Sequence, residues 1–286
     1  MFMRKAVSKI LLLIVLIFLT SNSFSAEKLK FADKPKKYGG SIRNAVFAPA
    51  KDSNNIGRAL IVLPTCGGIV EKTENAYKAW IKFFIAHGYT VLMVDHYTPR
   101  KIPKGNGCSK KRILLPNHEL SLDVLDATEH LSKMPGINKN KIFSIGFSLG
   151  TMANSNLASK AWYNTFGDKR LRPRALGGLY GSCNYGGGAA TFLHRDSNIP
   201  IFWLMGSKDL ESPASNCISN IEEIEKRKET KIYWHLYEGA THCWDCKDLN
   251  GYRKKYLNGN TGTYRYNKKF TEDSMNRALE FFNSFK

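Results

Sequence analysis

A serine between two glycines is the clearest chemical signal in this 286-residue chain. Residues 146–150 read Gly-Phe-Ser-Leu-Gly, with Ser148 at the centre. The apolar segment 141–145 before them predicts a strand, and the segment after Ser148 predicts a helix. In a sharp strand–turn–helix connection, small neighbours avoid clashes and the serine hydroxyl projects from the end of the sheet. The pattern indicates a nucleophilic serine, and a glycine-rich turn with a structural serine is the alternative.

A nucleophilic serine needs a histidine base and a carboxylate that orients the histidine. Asp209 lies directly after a predicted strand at 199–205, and His242 follows a predicted strand at 231–237. The chain order serine, acid, histidine, with each residue after a strand, is one of the known orders of such triads. The sequence therefore predicts Ser148 as the nucleophile, Asp209 as the acid and His242 as the base.

Other acidic and histidine residues fit this order less well. Glu211, two residues from Asp209, is the rival acid, and Asp95 could be the acid only in a different topology. His96 and His194 are the strongest rival bases, although both are predicted in loops outside the required order. The remaining histidines are weaker candidates: His87, His118, His130 and His235.

Stabilising the oxyanion of an acyl-transfer intermediate requires two well-placed N–H donors. The backbone of Leu149, at the start of the predicted helix, is one candidate. The second is expected in the loop after the predicted strand 58–63, where Pro64 has no N–H and Cys66 is the first choice. Gly67 is the next choice, and it is also expected to contact substrate because glycine lets the backbone approach a ligand closely.

The polar loop 95–115 is expected to overhang this site. Arg100 in this loop is a candidate substrate-binding residue for anionic substrates. The alternative is that the basic side chains of the loop contribute only to surface charge; they are Arg100, Lys101, Lys104 and Lys110.

The elements that must position these residues alternate between strand and helix from about residue 55. Aliphatic strands separated by amphipathic helices predict an α/β fold with a doubly wound, mostly parallel sheet covered by helices on both faces. In such sheets, ligands bind at the carboxyl ends of the strands. Strands are predicted at 58–63, 89–94, 141–145, 175–180, 199–205 and 231–237, and helices at 73–86, 116–133, after Ser148, 214–228 and 271–285.

The chain carries 43 Lys and Arg against 24 Asp and Glu, a formal net charge of +19. This charge favours contact with anionic surfaces. The expected partner of this kind is the anionic surface of the cell envelope, which basic patches on the protein would contact. The basic residues are scattered in short runs such as 110–112 and 253–255, without the motifs of a nucleic-acid reader. We therefore expect no specific nucleic-acid binding.

The N-terminus has the pattern of a secretory signal. Basic residues, among them Arg4, Lys5 and Lys9, precede an apolar run at 10–19 and a zone of small residues at 20–26. The run is shorter than the roughly 20 apolar residues of a membrane-spanning helix. We predict a signal peptide at 1–25, one domain at 26–286, and a periplasmic or secreted protein. An uncleaved membrane anchor is the alternative.

Export into an oxidising compartment makes disulfides the expected state of the cysteines. Cys243 and Cys246, immediately after His242, could form a disulfide, bind a metal or exchange electrons. The count is even, and the residues themselves leave the pairing open: Cys66, Cys108, Cys183, Cys217, Cys243 and Cys246.

Together these motifs resemble the dienelactone hydrolase family of α/β-hydrolases, particularly its exported, cysteine-containing members. Residues 65–68 (Thr-Cys-Gly-Gly) resemble the family's oxyanion loop, and 95–100 resemble the segment after its next strand. The serine, acid and histidine turns follow in order, and the similarity covers about 40–286. Two departures are Ser148, where the namesake enzymes have a cysteine nucleophile, and Thr65, where they have a glutamate.

The resemblance implies an α/β-hydrolase fold in which Ser148, Asp209 and His242 are nucleophile, acid and base. A serine nucleophile favours general ester hydrolysis over the namesake lactone specificity. The resemblance also implies the disulfide pairs Cys66–Cys108 and Cys183–Cys217, which leaves Cys243 with Cys246.

The function expected from these residues is cleavage of small-molecule carboxylic esters or lactones through an acyl-enzyme. This mechanism requires no metal and no organic cofactor. A peptidase or acyltransferase could use the same triad. A non-catalytic envelope binding protein on a hydrolase scaffold is the alternative outside the enzymes.

Overall fold

The computed structural model describes residues 27–29, 44–50, 55–105, 117–184, 192–256 and 259–286. The expected signal peptide at 1–25 lies outside these ranges, as do Cys108 and Lys110. The expectations that concern those residues therefore stay predictions.

An eight-stranded sheet with the order β1-β2-β4-β3-β5-β6-β7-β8 forms the centre of the fold. The strands from β3 to β8 are parallel, while β1 and β2 join the edge at β4 through antiparallel pairing. The strands are β1 (Glu27–Leu29), β2 (Asn44–Ala48), β3 (Arg58–Leu63), β4 (Tyr89–Asp95), β5 (Ile142–Phe147), β6 (Ala175–Leu179), β7 (Ile201–Gly206) and β8 (Ile232–Tyr237).

Helices cover both faces of this sheet, as the sequence predicts. Trp80 of α1 and Phe282 of α6 pack in the apolar core on one face. Leu125 of α2, Leu157 of α3 and Ile221 of α5 pack in the core on the other. The helices are α1 (Glu71–Ala86), α2 (Asn117–Leu131), α3 (Leu149–Ala158), α4 (Lys160–Phe166), α5 (Ser215–Arg227) and α6 (Lys268–Asn283).

Side chains cap the backbone at the start of two helices. The last helix begins at Lys268, before the predicted start at 271, because the side chain of Asn267 accepts the N–H of Phe270. The helix after Ser148 ends at Ala158, and Ser159 caps a second short helix by accepting the N–H of Trp162. Such caps satisfy N–H groups that lack an acceptor within the helix.

The edge strands β1 and β2 and a small hairpin were not predicted. Strand β2 precedes the first predicted strand and pairs with β4, so that residue 44 lies opposite residue 95. Strands β9 (Arg253–Lys255) and β10 (Thr261–Thr263) form a small antiparallel hairpin in a stretch rich in Tyr and Lys. Among the helices in the described ranges, none is both long and apolar enough to cross a membrane.

Candidate active site

Ser148 occupies the sharp turn between β5 and α3. Its backbone angles, φ 53° and ψ −109°, lie in a region that non-glycine residues rarely adopt. A Cβ on Gly146 would lie 2.2 Å from the carbonyl carbon of Gly150, and one on Gly150 would lie 2.7 Å from the carbonyl oxygen of Leu63. The two glycines are therefore required for the turn to approach the helix and the end of β3 this closely.

The structure brings the three predicted triad residues into one line of contacts. Ser148 Oγ lies 3.2 Å from His242 Nε2, and His242 Nδ1 lies 2.7 Å from Asp209 Oδ2. Because a carboxylate can only accept, Nδ1 carries the proton and the lone pair of Nε2 faces the serine hydroxyl. His242 and Asp209 are nearly inaccessible to solvent, with 3% and 2% of their surface exposed.

Neighbouring strand ends supply the acid and the base. Asp209 follows β7 and His242 follows β8, and the two strands are paired along their length. The loops are also tied together, because the N–H of Lys208 donates to the carbonyl of Ala240 at 2.9 Å. Ser148 follows β5, one strand beyond β6, and the ring of Tyr180 after β6 packs 4.6 Å from the His242 ring. The carboxyl ends of four adjacent strands therefore form the site.

Two carboxylates act on the His242 imidazole. Burial alone lowers its pKa, but Asp209 and Glu211 outweigh burial, so that the pKa of His242 is raised above its ordinary value of 6.5. Asp209 contacts Nδ1, whereas Glu211 Oε2 lies 3.9 Å from Nε2. Asp209 therefore lies in the orienting position, and the rival acid Glu211 lies on the side of the ring that faces the serine.

The loop after β3 lies beside the serine turn, because the end of β3 pairs with the end of β5. The N–H of Thr65 donates to Tyr77 Oη at 3.0 Å, and the N–H of Gly67 donates to Thr65 Oγ1 at 3.3 Å. The carbonyl of Cys66 accepts a hydrogen bond from Tyr97 Oη at 2.8 Å. Because the N–H of Gly67 already donates to Thr65 Oγ1, Gly67 is less suited to donate to an oxyanion. Cys66 therefore stays the first candidate for the second donor.

The second oxyanion candidate, Leu149, is the first residue of α3. The N–H groups in the first turn of a helix have no acceptor within it. The N-terminal end of α3 also carries the positive end of the helix dipole. The backbone of Leu149 is therefore placed as expected for a donor next to the serine.

Arg100 takes part in an internal ion pair, and its expected contact with substrate stays a prediction. Its Nη1 and Nη2 lie 2.7 and 2.8 Å from the two oxygens of Asp123, and Nη1 also donates to the carbonyl of His96 at 2.9 Å. The side chain of Asp123 is fully buried and also accepts from His96 Nδ1 at 2.7 Å. A buried carboxylate needs such partners, so Arg100 and His96 are bound in a structural cluster.

Two other rivals, Asp95 for the acid and His194 for the base, are also bound elsewhere. Asp95 accepts from the N–H and the hydroxyl of Thr98 and pairs with Lys104 at 2.9 Å, so it stabilises the turn after β4. His194 Nε2 lies 2.9 Å from Asn156 Oδ1. The structure places neither residue among the contacts of Ser148.

Two of the expected disulfides lie in the described part of the chain. Cys183 is bonded to Cys217, and Cys243 is bonded to Cys246. The sulfur atoms of Cys243 and Cys246 lie near a carboxylate oxygen of Asp245, but in the disulfide neither sulfur is a thiolate ligand for a metal. The pair Cys66–Cys108 includes a residue outside the described ranges and stays a prediction.

Several residues around the site were missed because no local pattern marks them. Asp245 is buried and accepts hydrogen bonds from Trp80 Nε1 at 3.0 Å and Tyr180 Oη at 2.8 Å, which fixes the ring beside His242. Lys254 in the unpredicted strand β9 and Tyr264 directly after β10 contact Glu211. Asp245, Lys254 and Tyr264 are more than 90 positions from Ser148 in the chain, so only tertiary structure reveals their position.

The family model described as the dienelactone hydrolase family matches residues 43–286 of the chain. The chain belongs to the dienelactone hydrolase family. It is therefore a hydrolase, and the fold and the family expected from its motifs are confirmed. No curated protein matches the chain by sequence.

Solved structures with the same fold are distant in sequence. A protein assigned as a dienelactone hydrolase from Klebsiella pneumoniae has 16% identity and a TM-score of 0.66, over 92% of this chain and 99% of that chain. A carboxylesterase from Lactobacillus plantarum has 12% identity and a TM-score of 0.62, over 91% and 97%. Thermogutta terrifontis esterase 2, solved phosphorylated by paraoxon, has 12% identity and a TM-score of 0.59, over 90% and 92%.

Proposed function

We propose that this hydrolase is an exported serine esterase that cleaves small-molecule carboxylic esters through an acyl-enzyme on Ser148. One observation carries the proposal: the continuous contacts from Ser148 Oγ through the imidazole of His242 to Asp209. A nucleophile, a base and an orienting carboxylate in hydrogen-bond reach are the parts that acyl transfer requires.

The first half of the reaction acylates the serine. His242 Nε2 takes the proton of Ser148 Oγ as the oxygen attacks the ester carbonyl, and the backbone N–H groups of Cys66 and Leu149 stabilise the oxyanion. The imidazolium then gives its proton to the leaving alkoxide, so the alcohol departs and the acyl-enzyme remains. Asp209 stabilises the imidazolium through Nδ1.

The second half releases the acid. His242 takes a proton from water, the hydroxide attacks the acyl carbonyl, and the proton returns to Ser148 Oγ as the acyl–oxygen bond breaks. A raised pKa of His242 keeps part of the base protonated at neutral pH. We therefore expect kcat/KM to rise with pH through a value above 6.5, since only the neutral imidazole accepts a proton.

Carboxylic esters suit this site better than a strict lactone specificity. The serine hydroxyl and the threonine at position 65 both depart from the namesake enzymes, and the neighbour from Lactobacillus plantarum is a carboxylesterase. A lactone is a cyclic ester and would react by the same steps, with its alcohol tethered to the acyl group. The export proposal is supported by the N-terminal signal pattern and by the two disulfides, because disulfides persist in oxidising compartments.

The test is hydrolysis of a panel of p-nitrophenyl esters, from acetyl to palmitoyl, by the oxidised mature protein. Ser148→Ala is expected to lower kcat by at least about 10⁴-fold, since the nucleophile is lost. The exposed Ser284→Ala is the matched control and is expected to retain full activity. Equal hydrolysis by wild type and Ser148→Ala, both folded, would refute the proposal.

A covalent probe gives an independent readout. Paraoxon is expected to add one diethylphosphoryl group to Ser148, detected by peptide mass spectrometry, because an activated serine attacks phosphorus as it attacks a carbonyl. Labelling should be absent in Ser148→Ala and normal in Ser284→Ala. Labelling at another residue with the same rate would place the nucleophile elsewhere.

A further inference from the structure

Glu211 lies on the side of His242 that faces the nucleophile. Its Oε2 is 3.9 Å from Nε2, the same nitrogen that lies 3.2 Å from Ser148 Oγ, while Asp209 contacts Nδ1. Only 13% of the Glu211 side chain is exposed. A carboxylate with so little access to water needs partners to stay ionised. Glu211 is therefore not simply one of the solvated charges on the protein surface.

Strand β9 and the residue directly after β10 supply those partners. Lys254 Nζ lies 2.7 Å from Glu211 Oε1, and Tyr264 Oη donates to Glu211 Oε2 at 2.5 Å. Burial alone raises the pKa of Glu211, but His242, Lys254 and Tyr264 outweigh burial and lower the pKa below its usual range. The carboxylate is thus a fixed negative charge at neutral pH.

The turn that orients Asp209 also places Glu211. Asp209 Oδ1 accepts the backbone N–H groups of Glu211 and Ser212 at 2.9 and 2.8 Å. The other oxygen of Asp209 contacts His242 Nδ1. One turn after β7 therefore delivers a carboxylate to each nitrogen of the imidazole, one in direct contact and one at longer range.

We propose that Glu211 is a second positioning carboxylate of this hydrolase, stabilising the His242 imidazolium from the Nε2 side while Lys254 and Tyr264 hold it out of hydrogen-bond contact. The inference rests on the proposed role of His242 as the base of Ser148.

The distance explains how a carboxylate on this side can assist the reaction. At 3.9 Å, Glu211 Oε2 is beyond hydrogen-bond range of Nε2, so the proton on Nε2 stays free for the leaving alkoxide. The charge still attracts the imidazolium, since Coulomb attraction falls only slowly with distance. A carboxylate in direct contact would compete with Ser148 and the leaving group for that proton.

Other groups around His242 would act in different directions. Lys254 opposes Glu211, because a cation disfavours the imidazolium. Asp209 would stay in place in every variant at Glu211 or Lys254. The remaining neighbours are the buried carboxyl of Asp245 and the rings of Tyr180 and Tyr264, at 4.6 and 5.6 Å from the His242 ring.

The experiment measures the titration of the His242 imidazole by NMR in the oxidised protein, beside the pH dependence of kcat/KM for a neutral ester. Glu211→Gln is expected to lower the titration midpoint by about one pH unit, because one attracting charge is lost. Lys254→Met is expected to raise it, because the opposing cation is lost. The exposed Glu222→Gln is the matched control and should leave it unchanged.

Opposite shifts in the two variants, repeated in the acid limb of the activity profile, would support the inference. Unchanged midpoints in folded Glu211→Gln and Lys254→Met would overturn it, even if kcat falls. If Glu211→Gln fails to fold, Tyr264→Phe replaces it in the test. This variant keeps the Glu211 carboxylate but removes one hydrogen-bond donor from Oε2, so the carboxylate acts more strongly on the imidazolium and the titration midpoint of His242 should rise. The titration of His242 can be measured without activity. If the midpoints shift as expected but ester hydrolysis does not depend on Ser148, the proposed function is refuted instead.

Discussion

Replacing Asp209 by asparagine tests the arrangement of the triad through the geometry of a single turn. Asp209 Oδ1 accepts two backbone N–H groups, and Oδ2 accepts from His242 Nδ1. In Asp209→Asn, the amide oxygen must stay with the two N–H donors, because the opposite orientation would place an NH₂ group against them. The NH₂ group then faces Nδ1, which must accept.

That orientation forces the wrong tautomer on the base. If Nδ1 of His242 accepts from the amide, the proton of the neutral ring lies on Nε2, so Nε2 donates towards Ser148 and cannot take its proton. The expected loss in kcat is about 10⁴-fold, the size known for this substitution in serine triads. That loss corresponds to roughly 5.5 kcal/mol of activation free energy.

The assay is kcat for a p-nitrophenyl ester at saturating concentration, with circular dichroism to establish folding. Because the backbone hydrogen bonds are kept, the free energy of unfolding should fall by only about 1 kcal/mol. Exposed Asp168→Asn is the matched control and should be fully active.

A comparison with Asp209→Ala sharpens this prediction, because alanine cannot impose a tautomer. The isosteric asparagine is therefore expected to be no more active than alanine, although it perturbs the fold less. A tenfold loss of kcat corresponds to only about 1.4 kcal/mol of activation free energy. An asparagine variant that retained more than about a tenth of wild-type kcat would therefore refute the tautomer argument.

Three other changes test the framework of the site. Gly150→Ala should lower the free energy of unfolding by about 1–3 kcal/mol, because its Cβ would lie 2.7 Å from a backbone oxygen at the end of β3; an unchanged urea midpoint would contradict this. Replacing Cys183 and Cys217 by alanine opens a loop with a sequence separation of 34 and should cost about 4 kcal/mol, measured against oxidised wild type. Arg100→Met should cost about 3–5 kcal/mol by leaving Asp123 underpaired, with the kcat/KM ratio between anionic and neutral esters unchanged. A selective loss for the anionic ester would instead support the substrate-binding role predicted for Arg100.

The local parts of the site could be read from the sequence. The turn at Ser148 demands glycines at 146 and 150, and strand–helix alternation follows from the spacing of apolar residues. Because parallel strands end at the same edge of a sheet, residues directly after strands converge there. The positions of Ser148, Asp209 and His242 could therefore be predicted from chain order without coordinates.

The sequence could not decide which carboxylate contacts which nitrogen of His242. Asp209 and Glu211 lie in the same turn, and their roles differ only by the direction in which each side chain points. The partners of Glu211, which are Lys254 and Tyr264, lie more than 40 residues further along the chain. The contact of Arg100 with buried Asp123 likewise joins two segments that are 23 residues apart. Backbone conformation depends mainly on near neighbours and apolar spacing, and the sequence records both. Ion pairs and proton positions depend on distances of a few ångströms between distant segments, and only tertiary packing sets those distances.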